Sequence, residues 1–149
     1  MLDQFRDVFK SFQNRDVKYV VIGGIAAILY GVPRNTVDLD ILIEATEANA
    51  EQLLLSLREN NFGTAYLTDA VGVLNNEISI FRDWVRLDVQ TSTPGLKFED
   101  AWEHRNTMQY LGQEFQVASL DDLLSSKMSA AREIDLNDVS ILNGLYHRI

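Results

Sequence analysis

The 149 residues carry 13 Lys and Arg against 22 Asp and Glu, a formal charge of −9 at pH 7, with 46% apolar and 23% charged residues. These are the proportions of one ordinary globular domain over residues 1–149, able to bury roughly 70% of its unfolded surface, and the acidic balance excludes a nucleic-acid coat protein built on a basic face. The absence of Cys excludes disulfides, thiolate metal sites and cysteine catalysis, and two His (His104 and His147) are too few for a His-rich zinc centre. Any metal must therefore be held by oxygen, which points to magnesium, manganese or calcium.

The first seven residues mix charges and lack the apolar core of a signal peptide. The longest apolar run, residues 19–30, is broken by Gly23-Gly24 and is shorter than the ~20 residues of a membrane span. A cytoplasmic chain with no membrane partner is expected. Leu2, Phe5, Val8, Phe9 and Phe12 recur at helical spacing and predict an opening amphipathic helix. Residues 18–22 form a β-rich run ending at Gly23-Gly24, a strand feeding a tight turn. Residues 25–30 predict a short helix closed by Gly31 and Pro33. Residues 39–43 predict a second buried strand, and Thr46 or Glu47 opens a helix that Asn60-Asn61 and Gly63 end. Strands are expected at 78–81 and 85–89, joined across Arg82-Asp83-Trp84, then a short helix at 98–104 and a second hairpin around Gly112. Ser119, with Asp122 at N3, starts a helix running to about Arg132, and a last helix runs from about Asp135 to Tyr146. Trp84 and Trp102 read as core or interface residues rather than stacking platforms, and both His as exposed. The fold class is α/β (α+β), a mixed sheet flanked by helices with a helical C-terminal end.

Asp38 and Asp40 point to one face of their strand, about 7 Å apart, in a run otherwise of Leu, Ile and Val. Unpaired buried carboxylates are costly, and their repulsion raises the pKa of one of them. A divalent cation removes both problems, and magnesium is commonly held by one or two carboxylates plus substrate phosphates. Gly23-Gly24, between a strand and a helix, allows close approach of a phosphate to the backbone. Asp88 stands in a second apolar strand run, and Arg34 and Thr36 place a cation and a hydroxyl just ahead of Asp38. An arginine partner for Asp40, with Asp38 in solvent at the strand mouth, is the alternative that needs no ligand.

Together these residues resemble the nucleotidyltransferase superfamily, the DNA-polymerase-β-like fold. Its pattern is a G-G or G-S at a strand–helix turn, a D-x-D about a dozen residues later, and a third carboxylate on a later strand. Gly23-Gly24, Asp38-x-Asp40 and Asp88 match in order, with 13 residues between Gly24 and Asp38. Gly31, Arg34 and Thr36, and the spacing of Lys127, Arg132, Asp135 and Asp138, are similar to the small prokaryotic AbiEii-like toxin group. The resemblance departs at Gly24, where a serine is frequent. The longer AbiEii-type toxins also carry a helical substrate-binding domain for which this length has no room.

The resemblance implies a minimal nucleotidyltransferase fold. It also implies two magnesium ions (manganese serving equally) on Asp38, Asp40 and Asp88, and a nucleoside triphosphate held by Gly23, Gly24, Arg34, Thr36 and Lys127. A nucleoside monophosphate would pass to a hydroxyl of a tRNA or protein, in a toxin restrained by an antitoxin partner. The alternatives are an aminoglycoside or lincosamide nucleotidyltransferase, whose cationic aminoglycosides the acidic surface suits, and a nucleotide-binding module without turnover. The resemblance leaves Arg132, Asp135 and Asp138 without a chemical role, Asp135 serving as well to cap a helix.

Overall fold

The computed structural model describes residues 2–148. A 3-10 turn, Leu2–Phe5, tightens the entry to α1, Arg6–Asn14, where no side chain caps the first N–H groups. The helix expected from Leu2 therefore begins four residues later. Strand β1, Tyr19–Ile22, runs directly into α2, Gly23–Leu29, so both glycines belong to the helix rather than to a turn ahead of it. Gly23 makes the reversal with a φ of +70°, open to glycine at little cost. Strand β2 is Asp38–Ile43 and α3 is Glu47–Glu59, capped by Thr46, whose hydroxyl accepts the N–H of Asn49. A second 3-10 turn, Gly63–Leu67, and α4, Ala70–Leu74, fill a stretch to which no element was assigned.

The two expected hairpins form as β3, Ile78–Arg82, with β4, Arg86–Gln90, and as β5, Asn106–Tyr110, with β6, Gln113–Val117. The second turns through Leu111 and Gly112, both with positive φ, the geometry that matches strand twist in a two-residue loop. Between the hairpins lies α5, Phe98–His104. The C-terminal pair is α6, Leu120–Ala130, and α7, Glu133–Leu145. Ala131, at φ +53°, ends α6 slightly short of Arg132, and Arg132 becomes the N-cap of α7.

All six strands join one mixed sheet in the order β3-β4-β2-β1-β6-β5. The β1–β2 pair and both hairpins are antiparallel, while β2–β4 and β1–β6 are parallel. One face carries Leu39, Ile41 and Ile43 of β2 into the main core with Phe5, Phe9 and Phe12 and with Leu53, Leu54 and Leu57 of α3. There the rings of Phe9 and Phe115 stack at 4.7 Å. On the other face, Val20, Ile22 and Leu42 pack against Phe98 and Ala101 of α5. Because Asp38 and Asp40 alternate with the core residues of β2, they share that second face, beyond the part α5 covers. Trp102 stacks on Phe98 under the Arg105 guanidinium, whereas Trp84 is half exposed and donates its indole N–H to the Asn60 carbonyl. Among the described residues, no helix is long and apolar enough to cross a membrane.

Candidate active site

The uncovered part of the second face opens into a cleft of about 570 Å³ between the sheet, the start of α2 and the α6–α7 pair. Gly23, Gly24, Arg34, Thr36, Asp38, Asp40, Asp88 and Lys127, drawn from four separate parts of the sequence, all line it. The parallel β2–β4 register sets Asp40 opposite Asp88 and Asp38 opposite Arg86. Edge strand β3 then sets Ile80 across from Asp88 and Arg82 across from Arg86. The exposed Ile78 extends the cleft lining to the sheet edge.

The carboxylates crowd one another. Burial first, then the charges of Asp88 and Asp38 and a hydrogen bond to Asp88, push the Asp40 carboxyl up to about 7, against a downward pull from Arg86. Asp40 also packs on the backbone at Gly23: a Cβ there would stand 2.5 Å from its Oδ2. Arg86 was not singled out from the sequence. Its Nε and its terminal NH2 nitrogen donate to the two oxygens of Asp88 at 2.9 and 3.0 Å, and its Nε lies 3.7 Å from Asp38. The arginine thus serves Asp88 and Asp38, and Asp40 has no ion-pair partner of its own among the described residues. The signal was its place two residues before Asp88, which on a strand means the same face.

As the side chains lie, no three His, Asp or Glu groups among the described residues form a ready-made metal cage. The donor set nevertheless fits magnesium. It is all oxygen, it presents two carboxylates from one strand to an open cleft, and magnesium needs only one or two carboxylates when phosphates complete its shell. The raised Asp40 carboxyl marks a concentration of negative charge that a cation would relieve.

The opposite wall is ionic. Asp138 of α7 is fully buried and accepts from Arg34 at 3.1 and 2.8 Å and from Lys127 Nζ at 2.8 Å. Asp135 accepts from the Arg132 guanidinium and backbone N–H, and stands 3.6 Å from Lys127 Nζ. Burial raises both carboxyls, but these bonds and charges outweigh it and hold both below the ordinary value. Lys127 lines the cleft, yet its ammonium is buried and turned to carboxylates. His104 and His147 stand outside the cleft; His104 Nδ1 lies 3.1 Å from Asp122 Oδ2.

A six-stranded mixed sheet with helices against both faces, carrying three aspartates on adjacent strands beside a Gly-Gly helix start, has the architecture of a nucleotidyltransferase domain. The chain belongs to the family described as nucleotidyltransferase of unknown function (DUF6036), whose profile matches residues 1–149. No curated protein matches it. The fold is similar to that of a candidate nucleotidyltransferase from Thermotoga maritima, at 17% identity over 98% of this chain and 90% of that one, with a TM-score of 0.57. It is also similar to an antigenic nucleotidyltransferase-like protein from Paracoccidioides brasiliensis, at 19% identity over 96% of this chain and 77% of that one, with a TM-score of 0.62.

Proposed function

We propose that the cleft transfers a nucleoside monophosphate from a nucleoside triphosphate to an acceptor hydroxyl. The observation that carries this reading is the convergence of Asp38, Asp40 and Asp88 on the open part of one sheet face, next to Gly23 and Gly24. Asp38 and Asp40 would hold magnesium or manganese, with Asp88 reaching a second ion once Arg86 releases it. The bound ions would supply charge neutralisation for the phosphates and a lowered pKa for the acceptor hydroxyl.

In the reaction the acceptor oxygen–α-phosphorus bond forms and the bond to the β-phosphate bridging oxygen breaks. Pyrophosphate would leave, and the hydroxyl proton would pass to Asp88 once Arg86 has released its carboxylate. Gly23 and Gly24 would offer a phosphate the backbone N–H groups at the start of α2, with Asp40 packed at Gly23, Arg34 and Thr36 packed at Gly24, and Lys127 adding positive potential behind Arg34.

Charge within the cleft differs from that of the whole chain. Arg34, Arg86, Lys127 and Arg132 match Asp38, Asp40, Asp88 and Asp135 one for one along its lining, although the chain is at −9. Arg82 and Arg86, set side by side across β3 and β4, favour an anionic acceptor surface such as tRNA, or a protein, over a cationic aminoglycoside. This supports a toxin-type activity, with an antitoxin as the partner that restrains it.

Incubation with α-labelled nucleoside triphosphates, magnesium and tRNA, total protein or an aminoglycoside tests the reading. Label is expected on tRNA or protein, and Asp38→Ala and Asp40→Ala should each abolish it while leaving the circular dichroism spectrum unchanged. Full activity in both folded variants would refute the site.

A further inference from the structure

The role of Asp138 inferred below rests on the nucleotidyltransferase reading. Arg34 reaches the cleft, but only part of its guanidinium is free. Its Nε and NH2 donate to the two oxygens of Asp138, which is 0% exposed and lies 104 residues further along the chain. Lys127 Nζ, itself buried, holds Asp138 Oδ2 from the other side at 2.8 Å. The remaining nitrogen, NH1, has no acceptor among the described residues and lies beside Gly24. A Cβ built on Gly24 would stand 3.3 Å from both NH1 and NH2, and 3.4 Å from Thr36 Cγ2. The guanidinium therefore occupies the space that a side chain at position 24 would take.

A free arginine samples many rotamers, whereas a planar fork fixed along one edge presents the other in a single direction. We propose that Asp138 is a positioning residue for triphosphate binding: it anchors Arg34 so that NH1 faces a phosphate at Gly24, and Lys127 acts through Asp138 rather than on the phosphate directly. Gly24 is part of the same device, since a Cβ at that position would press on the anchored guanidinium.

The test is calorimetric binding of magnesium–ATP and of magnesium with inorganic tripolyphosphate, which has no base or sugar. Arg34→Ala should weaken both by about tenfold or more, in line with loss of a charge-assisted phosphate contact. Arg34→Lys, which keeps the charge but loses the fork, should not restore them. Asp138→Asn should weaken both by about fivefold or more with melting still cooperative. Combined with Arg34→Ala, it should add no more than about twofold, because the two act as one unit. If Asp138→Asn fails to fold, Gly24→Ala decides. It should weaken tripolyphosphate binding when Arg34 is present and change little in the Arg34→Ala background.

Additive losses in the deciding pair, or Arg34→Ala binding like the unmodified chain, would overturn the positioning role while the nucleotidyltransferase reading stands. An unmodified chain that binds neither ATP nor tripolyphosphate with magnesium would overturn both.

Discussion

Asp40 shows at a single residue what the crowding of carboxylates costs the folded chain. Its carboxyl, moved from 3.8 up to about 7, keeps its proton in the fold over a range where the unfolded chain has lost it. The native state then binds more protons between about pH 4 and pH 7, so stability falls as pH rises through that window. The full cost, with no cation present, is on the order of 4 kcal/mol. Asp40→Asn should remove the slope. Urea unfolding at pH 5 and pH 8 without divalent ions should show the unmodified chain losing stability relative to the variant, and magnesium at pH 8 should recover it only in the unmodified chain. At Gly23, alanine meets both a φ of +70° and the Asp40 oxygen. Gly23→Ala should cost about 1–2 kcal/mol in the same experiment, and transfer activity should fall with it. The three aspartates were legible because charge inside an apolar strand run is conspicuous and two-residue spacing fixes the face. Asp138 was legible only as spacing, since its partner Arg34 is far away in the chain and burial leaves no mark on an isolated Asp.

At the scale of elements, legibility followed length and capping. Helices α3 and α6 announce themselves through an apolar period and a hydroxyl at the N-cap, and in both the hydroxyl accepts the N3 backbone N–H at 3.2 Å. At α6 the reciprocal half of the expected box is absent, because Asp122 turns to His104. Thr46→Ala and Ser119→Ala should each lower stability by about 1 kcal/mol, and by their sum in the double variant, since the caps share no partner. Helix α4 and the 3-10 turn before it are five residues each, too short for a helical period to show. The only local sign was Asp69, which caps α4 by accepting the Gly72 N–H at 2.8 Å. Both hairpins were readable from their turns, whereas the parallel pairs were not, because nothing local marks which distant strand a given run will join.

For the whole molecule, those parallel pairs set the pace of folding. Val21 stands opposite Val117, and β2 lies beside β4 across an intervening helical segment, so much of the sheet closes only after long loops do. Stopped-flow refolding should be on the millisecond-to-second scale rather than the microsecond scale of local folds. The bulk charge also reads differently once distributed, since the acidic surface surrounds a cleft in which cations and carboxylates balance. The ion pair from Arg34 to Asp138 has a further consequence, for the chain as it is made. A ribosome-bound chain that has yet to release α7 already carries every residue of the aspartate cluster and the Gly-Gly start, but nothing to fix Arg34. If Asp138 positions Arg34 as proposed, nucleotide grip would wait until α7 has docked.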